Sequence, residues 1–278
     1  MLLIILSPDT ISFQQCHKMN GKTFVDQLKR EVFISDKPTR IVSLVPSITD
    51  FLHHLELENE VVGITKFCIL PEAWYASKQR VGGTKTINLD VIDELKPDLI
   101  IGNKEENTKE DIKKLSKSYP VWMSDVNSFE DAIDMIYKLG EVLSRKNECS
   151  LLANSILTSF NELMDIGNSK SVLYFIWHKP DYVVGSSTYV NSILDKLGFV
   201  NHCQQERYPI LDELSLSSPD YVFLSSEPFP FSTRHENHFQ QKFPNSKIIY
   251  VKGEMFSWYG SYMLQTTDYV KNQLKTFL

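Results

Sequence analysis

Short apolar runs and stretches with helical spacing follow each other along most of the chain. FVDQLKREVFI, ahead of Lys37-Pro38, has two apolar ends around a polar centre and predicts a two-stranded ribbon. RIVSLVPS reads as an apolar strand stopped by a Pro-Ser turn. SITDFLHHLEL then places Ile48, Phe51, Leu52 and Leu55 at helical spacing. VVGIT predicts a strand, NLDVIDEL a short helix, and KPDLIIG a helix stop followed by a strand. Asn88 is positioned to cap that short helix. Asp90 falls in its first turn, where a carboxylate favours the positive end of the dipole. DIKKLSKSY and PVWMS repeat the helix-strand step, which predicts an α/β lobe over a mainly parallel sheet.

The middle of the chain differs. SFEDAIDMIYKLGEVLS opens with Ser128 and Asp131 at capping-box spacing, with Asp in place of the usual Glu or Gln. From Asn147 to Asp165, Leu151, Leu152, Ile156, Phe160 and Leu163 share a broad face. That predicts one stiff helix of nearly ~30 Å. The alternation then restarts through SVLYFIW, TYVNSILDKLGF, LDELSLSSPD, YVFLSS, HFQQKFP and KIIYV, and LQTTDYVKNQLKTF predicts a terminal helix. LDVIDELKPD and LDELSLSSPD share a frame in which Asp90 precedes Pro97, and Asp212 precedes Pro219, by seven positions. The same order of elements surrounds both, so we read a structural repeat; the competing reading is that LD and PD are common signals at helix starts and stops. The expected fold is α/β, with two similar lobes of mainly parallel sheet bridged by one long rigid helix. Its parts are an extension and ribbon over 1–38, a first lobe over 39–124, a helical linker over 125–167 and a second lobe over 168–278. A ligand would then lie between the strand-end loops of the two lobes.

Composition narrows the function. The 278 residues carry 35 acidic and 29 basic side chains, a formal charge of -6, which gives no support to a broad nucleic-acid surface. Cys16, Cys68, Cys149 and Cys203 are spread without a CxxC pair, so neither a zinc site nor a dense disulfide framework is expected. The opening run MLLIIL is short for the core of a signal peptide and no Lys or Arg precedes it. We therefore expect no export signal and no transmembrane segment, with residues 1–18 an upstream extension before Met19 or a short extra strand. The chain lacks G-x-G-x-x-G after its first strand, a Walker A loop and a G-x-S-x-G elbow, and VGGTK reads as a turn. In RHENH, His235 and His238 are three apart rather than four, so the segment reads as a surface turn entering a helix and no metal ligand is assigned. Cys68 either reaches a cleft or is a buried reduced thiol. Aromatic segments are the better cleft walls: IWHKPDYVVGSSTY carries Trp177, His178, Tyr182 and Tyr189, and GEMFSWYGSY carries Phe256, Trp258 and Tyr259. Flat aromatic faces suit a large, partly apolar ligand, and the competing reading is core filling. Trp258 leads because FSWYG is short, aromatic and predicted to be a loop.

RIVSLVPSITD, VVGITKFCILP, RVGGTKTINLDVIDELKPDLII and NKEEN resemble the first lobe of the vitamin B12 and iron-siderophore substrate-binding proteins of ABC importers. SSEPFPF and GEMFSWYGS resemble a cobalamin-binding-like subgroup, and the similarity runs from about Thr39 to the C-terminus. This resemblance implies two α/β lobes bridged by one long helix, with ligand in the cleft. It also implies one carboxylate per lobe docking onto permease arginines. The matching positions are Asp90 and Asp212, where family members often have Glu, with Glu213 an adjacent alternative. Phe67, Trp177, His178, Tyr189, Trp258 and Tyr259 are the implied ligand positions. His178 stands where close relatives tend to show the Arg of WRKP, and Tyr262 where they show the Arg of GSR. The implied function is non-enzymatic capture of a corrinoid such as cobalamin, or else a ferric siderophore, and its delivery to an ABC importer permease. No intrinsic cofactor, catalytic residue or nucleic-acid partner is implied. The family points to the periplasm or cell envelope, whereas the absence of a recognisable signal peptide fits the cytoplasm. Three alternatives remain open at this point: an intracellular corrinoid or metal-chelate binder uncoupled from transport, an enzyme acting on a tetrapyrrole or metal chelate with His178 as base, and an interaction protein whose cleft is filled.

Overall fold

The computed structural model describes residues 20–213 and 217–278, and the readings made above for residues 1–18 lie outside the described residues. Gly21–Val25 and Glu31–Ser35 form the expected antiparallel ribbon. The buried Asp26 closes its turn, accepting hydrogen bonds from Arg30 N (2.8 Å) and Arg30 Nε (2.8 Å). Arg30 in turn donates to the Val121 carbonyl at 2.8 Å, which fixes the ribbon to the first lobe.

Each lobe holds one sheet. The first has the parallel order Gln79–Arg80, Val61–Ile64, Ile41–Ser43, Leu99–Asn103, Val121–Ser124. In the second, Ser171–Trp177 lies between Val200–Asn201 and Tyr221–Ser225, with Lys247–Val251 beyond, all parallel. The short strand Tyr182–Val183 adds antiparallel to Ser171–Trp177. The central strands are apolar and buried along most of their length, as a sheet covered on both faces requires.

The two Pro-Asp dipeptides do the same work in both lobes. Asp98 accepts from Thr39 N (2.8 Å), Thr39 Oγ1 (2.9 Å) and Arg40 N (2.8 Å), just before the first strand of its sheet. Asp220 accepts from Ser171 N (2.8 Å), Ser171 Oγ (2.8 Å) and Lys170 Nζ (2.9 Å), at the first strand of the other. Lys170 and Ser171 together hold the Asp220 carboxyl well below the usual carboxylate range. In each lobe the strand after Pro-Asp pairs with that first strand, Leu99 opposite Ile41 and Tyr221 opposite Val172. The repeat read from four letters is therefore a repeat of hydrogen bonding and topology. The LD halves differ: Asp90 sits in the helix Leu89–Leu95, whose Asn88 side chain accepts from Val91 N at 3.3 Å, whereas Asp212 sits in a short 3-10 turn, Leu211–Glu213.

Helices carry the chain from one lobe to the other. The predicted helix from Asn147 is present as Lys146–Asn161, about 24 Å long. It stops short of Asp165, where turns bring Gly167 against Gly198 and Gly167 N donates to the Leu197 carbonyl at 2.7 Å. It shares the bridge with Phe129–Val142, and the two are separated by a sharp turn with Ser144 at φ 55°. Ser128 caps the latter helix by accepting from Asp131 N at 3.0 Å, but the shorter Asp131 carboxylate accepts from Asn127 N (3.1 Å) instead of closing a capping box. Gly140 allows the pair to approach, since a Cβ there would lie 2.7 Å from the Cys149 Cβ. Phe129 and Phe160 stack edge to face at 4.9 Å between them. Phe129–Val142 is tied to both lobes. Gln27 Nε2 donates to Asp134 Oδ2 at 2.9 Å on the ribbon side, and Phe129 N donates to Ser192 Oγ at 2.7 Å on the second-lobe side. A direct staple joins the lobes as well, Ser261 Oγ donating to Asp50 Oδ2 at 2.6 Å. A pair of packed helices tied to both lobes should resist bending more than a single rod and keep lobe closure small. Among the described residues, no helix is long and apolar enough to cross a membrane.

Candidate functional site

Because both sheets are mainly parallel, the loops after their strands gather on facing edges, and between them lies a cleft of about 670 Å³. From the first lobe it is lined by Pro46 and Ser47 after the first strand, Phe67 and Ile69 after the second, and Glu105 and Glu106 after Leu99–Asn103. The second lobe contributes Tyr174 and Ile176 from its central strand, Tyr189, Tyr208, Glu227, and the Ser257–Tyr259 stretch.

The aromatic walls are of two kinds. Phe67 is half exposed, 51% of its surface facing solvent, which a core residue would not afford. Trp258 is half-buried and leans on Tyr262, with ring centroids 4.8 Å apart. It terminates the one-turn helix Glu254–Ser257, so FSWYG is a helix end and not the free loop expected. Tyr189 and Tyr259 meet edge to face at 5.7 Å and are more than nine-tenths buried, so they form the floor. Burial pushes both phenols above their ordinary range. The Tyr259 hydroxyl is buried beside Ser47 and Ser124 without a well-formed hydrogen bond.

Carboxylates dominate the polar lining. Glu106 offers surface to the open cleft, yet protein surrounds it on most sides, and this partial burial raises its carboxyl despite the nearby Lys85. Burial likewise raises Glu227, against the hydrogen bond from Ser257 Oγ at 2.7 Å. Among the described residues lining the cleft, none is Lys, Arg or His. The nearby cations are engaged at its rim: Lys66 over the Phe67 ring at 5.1 Å, Lys85 on the Glu105 carbonyl, and Arg207 paired with Glu105. Arg207 also holds Asn127 Oδ1 at 2.9 Å and the Ser187 carbonyl at 2.7 Å, so its guanidinium spans from second lobe to first.

Of the residues singled out in the sequence, Phe67, Tyr189, Trp258 and Tyr259 are brought together in this cleft. Trp177 and His178 are not among its lining residues. They follow Ile176, the last residue of that strand to line the cleft. Trp177 is exposed, with its ring 5.7 Å from Phe229, and His178 hydrogen-bonds Asp181 through Nδ1 at 2.6 Å. His178 is thus engaged with Asp181 and lies outside the cleft lining. Cys68 is fully buried, with Sγ 3.1 Å from the Thr49 and Thr65 hydroxyls, and burial pushes its thiol up. Asp90 is exposed. Asp212 is exposed too and pairs with Lys242 at 2.6 Å. Glu213 ends the same turn, and its side chain lies outside the described residues. Glu105, Glu106 and Glu227 went unremarked as lining residues, although NKEEN and SSEPFPF each follow a predicted strand and so fall at its ligand-facing end.

Two parallel-sheet lobes, a helical bridge and an aromatic cleft between strand-end loops define a two-lobed solute-binding protein of the helical-backbone class. Residues 41–247 match the family described as "Periplasmic binding protein", and the chain belongs to that family. Membership places it among binding proteins and not enzymes. It is 26% identical over 184 residues to the uncharacterized ABC transporter substrate-binding lipoprotein YvrC of Bacillus subtilis, covering 62% of this chain and 58% of that one. It is 32% identical over 104 residues to the vitamin B12-binding protein of Vibrio vulnificus, covering 37% of each. The chain thus spans less than two thirds of the length of these curated relatives. The petrobactin-binding protein YclQ of Bacillus subtilis shares the fold, with a TM-score of 0.76 at 21% identity over 91% of this chain and 98% of that one.

Proposed function

We propose that the protein captures a corrinoid of the cobalamin type in the inter-lobe cleft, without chemistry, and hands it to an ABC importer at the cell envelope. The observation that carries this reading is the lining. Phe67 and Trp258 offer flat apolar faces to a broad macrocycle, while Glu106 and Glu227 offer partners to peripheral amides. A ferric chelate bearing net negative charge would enter a site lined by Glu106 and Glu227, with Glu105 already paired to Arg207 and the cations held at the rim, and like charges in a partly desolvated cleft repel. The similarity to a vitamin B12-binding protein points the same way. The test is a titration of the purified protein with cyanocobalamin and with an anionic ferric siderophore, following tryptophan emission. Saturable one-to-one quenching by the corrinoid alone supports the reading, and tighter binding of the siderophore overturns it.

The raised carboxyls give this preference a pH signature. As pH falls through their raised values, Glu106 and Glu227 take up protons and the cleft loses negative charge. Any residual affinity for an anionic ferric chelate should therefore rise several-fold from about pH 7.5 to about pH 5, while corrinoid affinity changes little. An anionic chelate that binds more weakly at the acidic end contradicts this assignment of charge.

Delivery rests on Asp90 and Asp212, one exposed carboxylate per lobe. Exposed charges of this kind orient a partner more than they hold it. The Lys242 pair does not bar Asp212, since a largely exposed ion pair is worth ~1 kcal/mol or less. The double replacement Asp90→Ala, Asp212→Ala should leave corrinoid affinity intact and reduce uptake in cells by about tenfold or more. Uptake at the wild-type rate would end the docking assignment.

A further inference from the structure

RHENH does not contain a metal motif within itself, but folding brings its second histidine to partners about sixty residues away. His238, on the helix Glu236–Lys242, faces the turn that links Ser171–Trp177 to Tyr182–Val183. There His178 Nδ1 lies 2.6 Å from Asp181 Oδ1, and His238 Nε2 lies 3.4 Å from Asp181 Oδ2. One donor atom from each of His178, Asp181 and His238 falls within 4.8 Å of the others.

We propose that His178, Asp181 and His238 form a binding site for a divalent transition-metal ion, separate from the cleft, on the second lobe. Two imidazoles and one carboxylate suit ions of borderline softness such as Zn²⁺, Co²⁺ or Ni²⁺. Metal–donor bonds of about 2.0–2.2 Å set tetrahedral donors about 3.3–3.5 Å apart. The His238–Asp181 separation already fits, and the His178–Asp181 separation needs to open by less than about 1 Å.

The surroundings are built for such a site. Asp181 is buried, and the His178 side chain is only 11% exposed. The His178 ring is wedged edge-on against Phe229 at 5.8 Å and beside Phe239 at 5.9 Å. Two ligands are thus fixed in advance, with aromatic side chains lowering the local dielectric. His238 is the open side, its side chain 49% exposed, leaving room for ion entry and for water ligands. His235 is not part of the set, because its Nδ1 accepts from Ser232 N at 3.1 Å.

Without metal, Lys242 supplies the positive charge, its Nζ 3.6 Å from Asp181 Oδ2 and 2.6 Å from Asp212 Oδ1. A metal ion would repel it from Asp181 while leaving it the Asp212 contact. Lysine and metal therefore compete for one carboxylate, which distinguishes this site from a chance pair of surface histidines.

The experiment is calorimetric titration of tag-free, chelator-treated full-length protein with Zn²⁺. One ion per chain is expected. His238→Ala, at an exposed position that does not endanger the fold, should weaken binding by about tenfold or more, as should Asp181→Asn. Lys242→Met should tighten it several-fold. Absence of saturable one-to-one binding overturns the proposal, as does wild-type affinity in both His238→Ala and Asp181→Asn; unchanged affinity in Lys242→Met overturns the competition. Cyanocobalamin binding should be the same in all three variants, so failure here leaves the cleft reading standing.

Discussion

Replacing Trp258 with alanine should weaken the proposed corrinoid binding by about 10- to 100-fold, or ~1.4–2.7 kcal/mol. Trp258 is half-buried in the free protein, so part of the indole face still gains from being covered by a ligand. It is also held in place before binding, by the end of the Glu254–Ser257 helix on one side and the Tyr262 ring on the other. A pre-positioned aromatic loses little rotamer freedom on binding, so most of its contact energy reaches the affinity. Phe67, with half its surface exposed and no comparable packing, is the weaker wall, and Phe67→Ala should cost less than Trp258→Ala. Equilibrium titration of the two variants checks both statements. Wild-type affinity in Trp258→Ala would remove the indole from the site.

Phe129→Ala is the largest expected effect on stability, about 3–5 kcal/mol in denaturant unfolding. Phe129 is 2% exposed and sits where three supports converge: the Phe160 ring at 4.9 Å, the Lys196 ammonium at 4.8 Å over its face, and the Ser192 hydroxyl that accepts from its backbone N–H at 2.7 Å. Its removal leaves a cavity at the joint between the bridging pair and the second lobe. A domain's stability is commonly about 5–15 kcal/mol, so this loss is a large share of it. Corrinoid affinity should fall with it, because a looser bridge lets the walls drift from their spacing. A loss below about 1 kcal/mol would mean that the joint collapses onto another partner.

Local pattern carried the sheets and most helices. RIVSL, VVGIT, KPDLIIG, PVWMS, SVLYFIW, YVFLSS and KIIYV each hold a strand, because a buried parallel strand must be apolar on both faces. The Pro-Asp repeat was legible as letters, and its meaning became visible only with Asp98 and Asp220 in place as staples for the two first strands. The bridge was half legible. Lys146–Asn161 has its own periodicity, but that the preceding helix would pack beside it and share the crossing depends on the turn at Ser144 and on the Gly140–Cys149 approach. For the cleft, the aromatic segments offered Tyr189, Trp258 and Tyr259 and the family resemblance offered Phe67, and all four line it. The same reading also drew in Trp177 and His178, which share the segment but are not among the residues lining this cleft. The lining glutamates escaped because an acidic residue in a loop is ordinary, and only the spatial absence of a lining cation gives them weight. The His178–Asp181–His238 cluster was out of reach for the same reason: nothing in the spacing of three residues across sixty positions says that they meet.

The account depends on an open, aromatic, anion-averse cleft between two braced lobes. Calorimetric titration of the purified chain with cyanocobalamin, with an anionic ferric siderophore run in parallel, tests it most directly. The account predicts one corrinoid bound per chain and little or no heat from the siderophore at neutral pH. Saturable siderophore binding with no response to the corrinoid would contradict it.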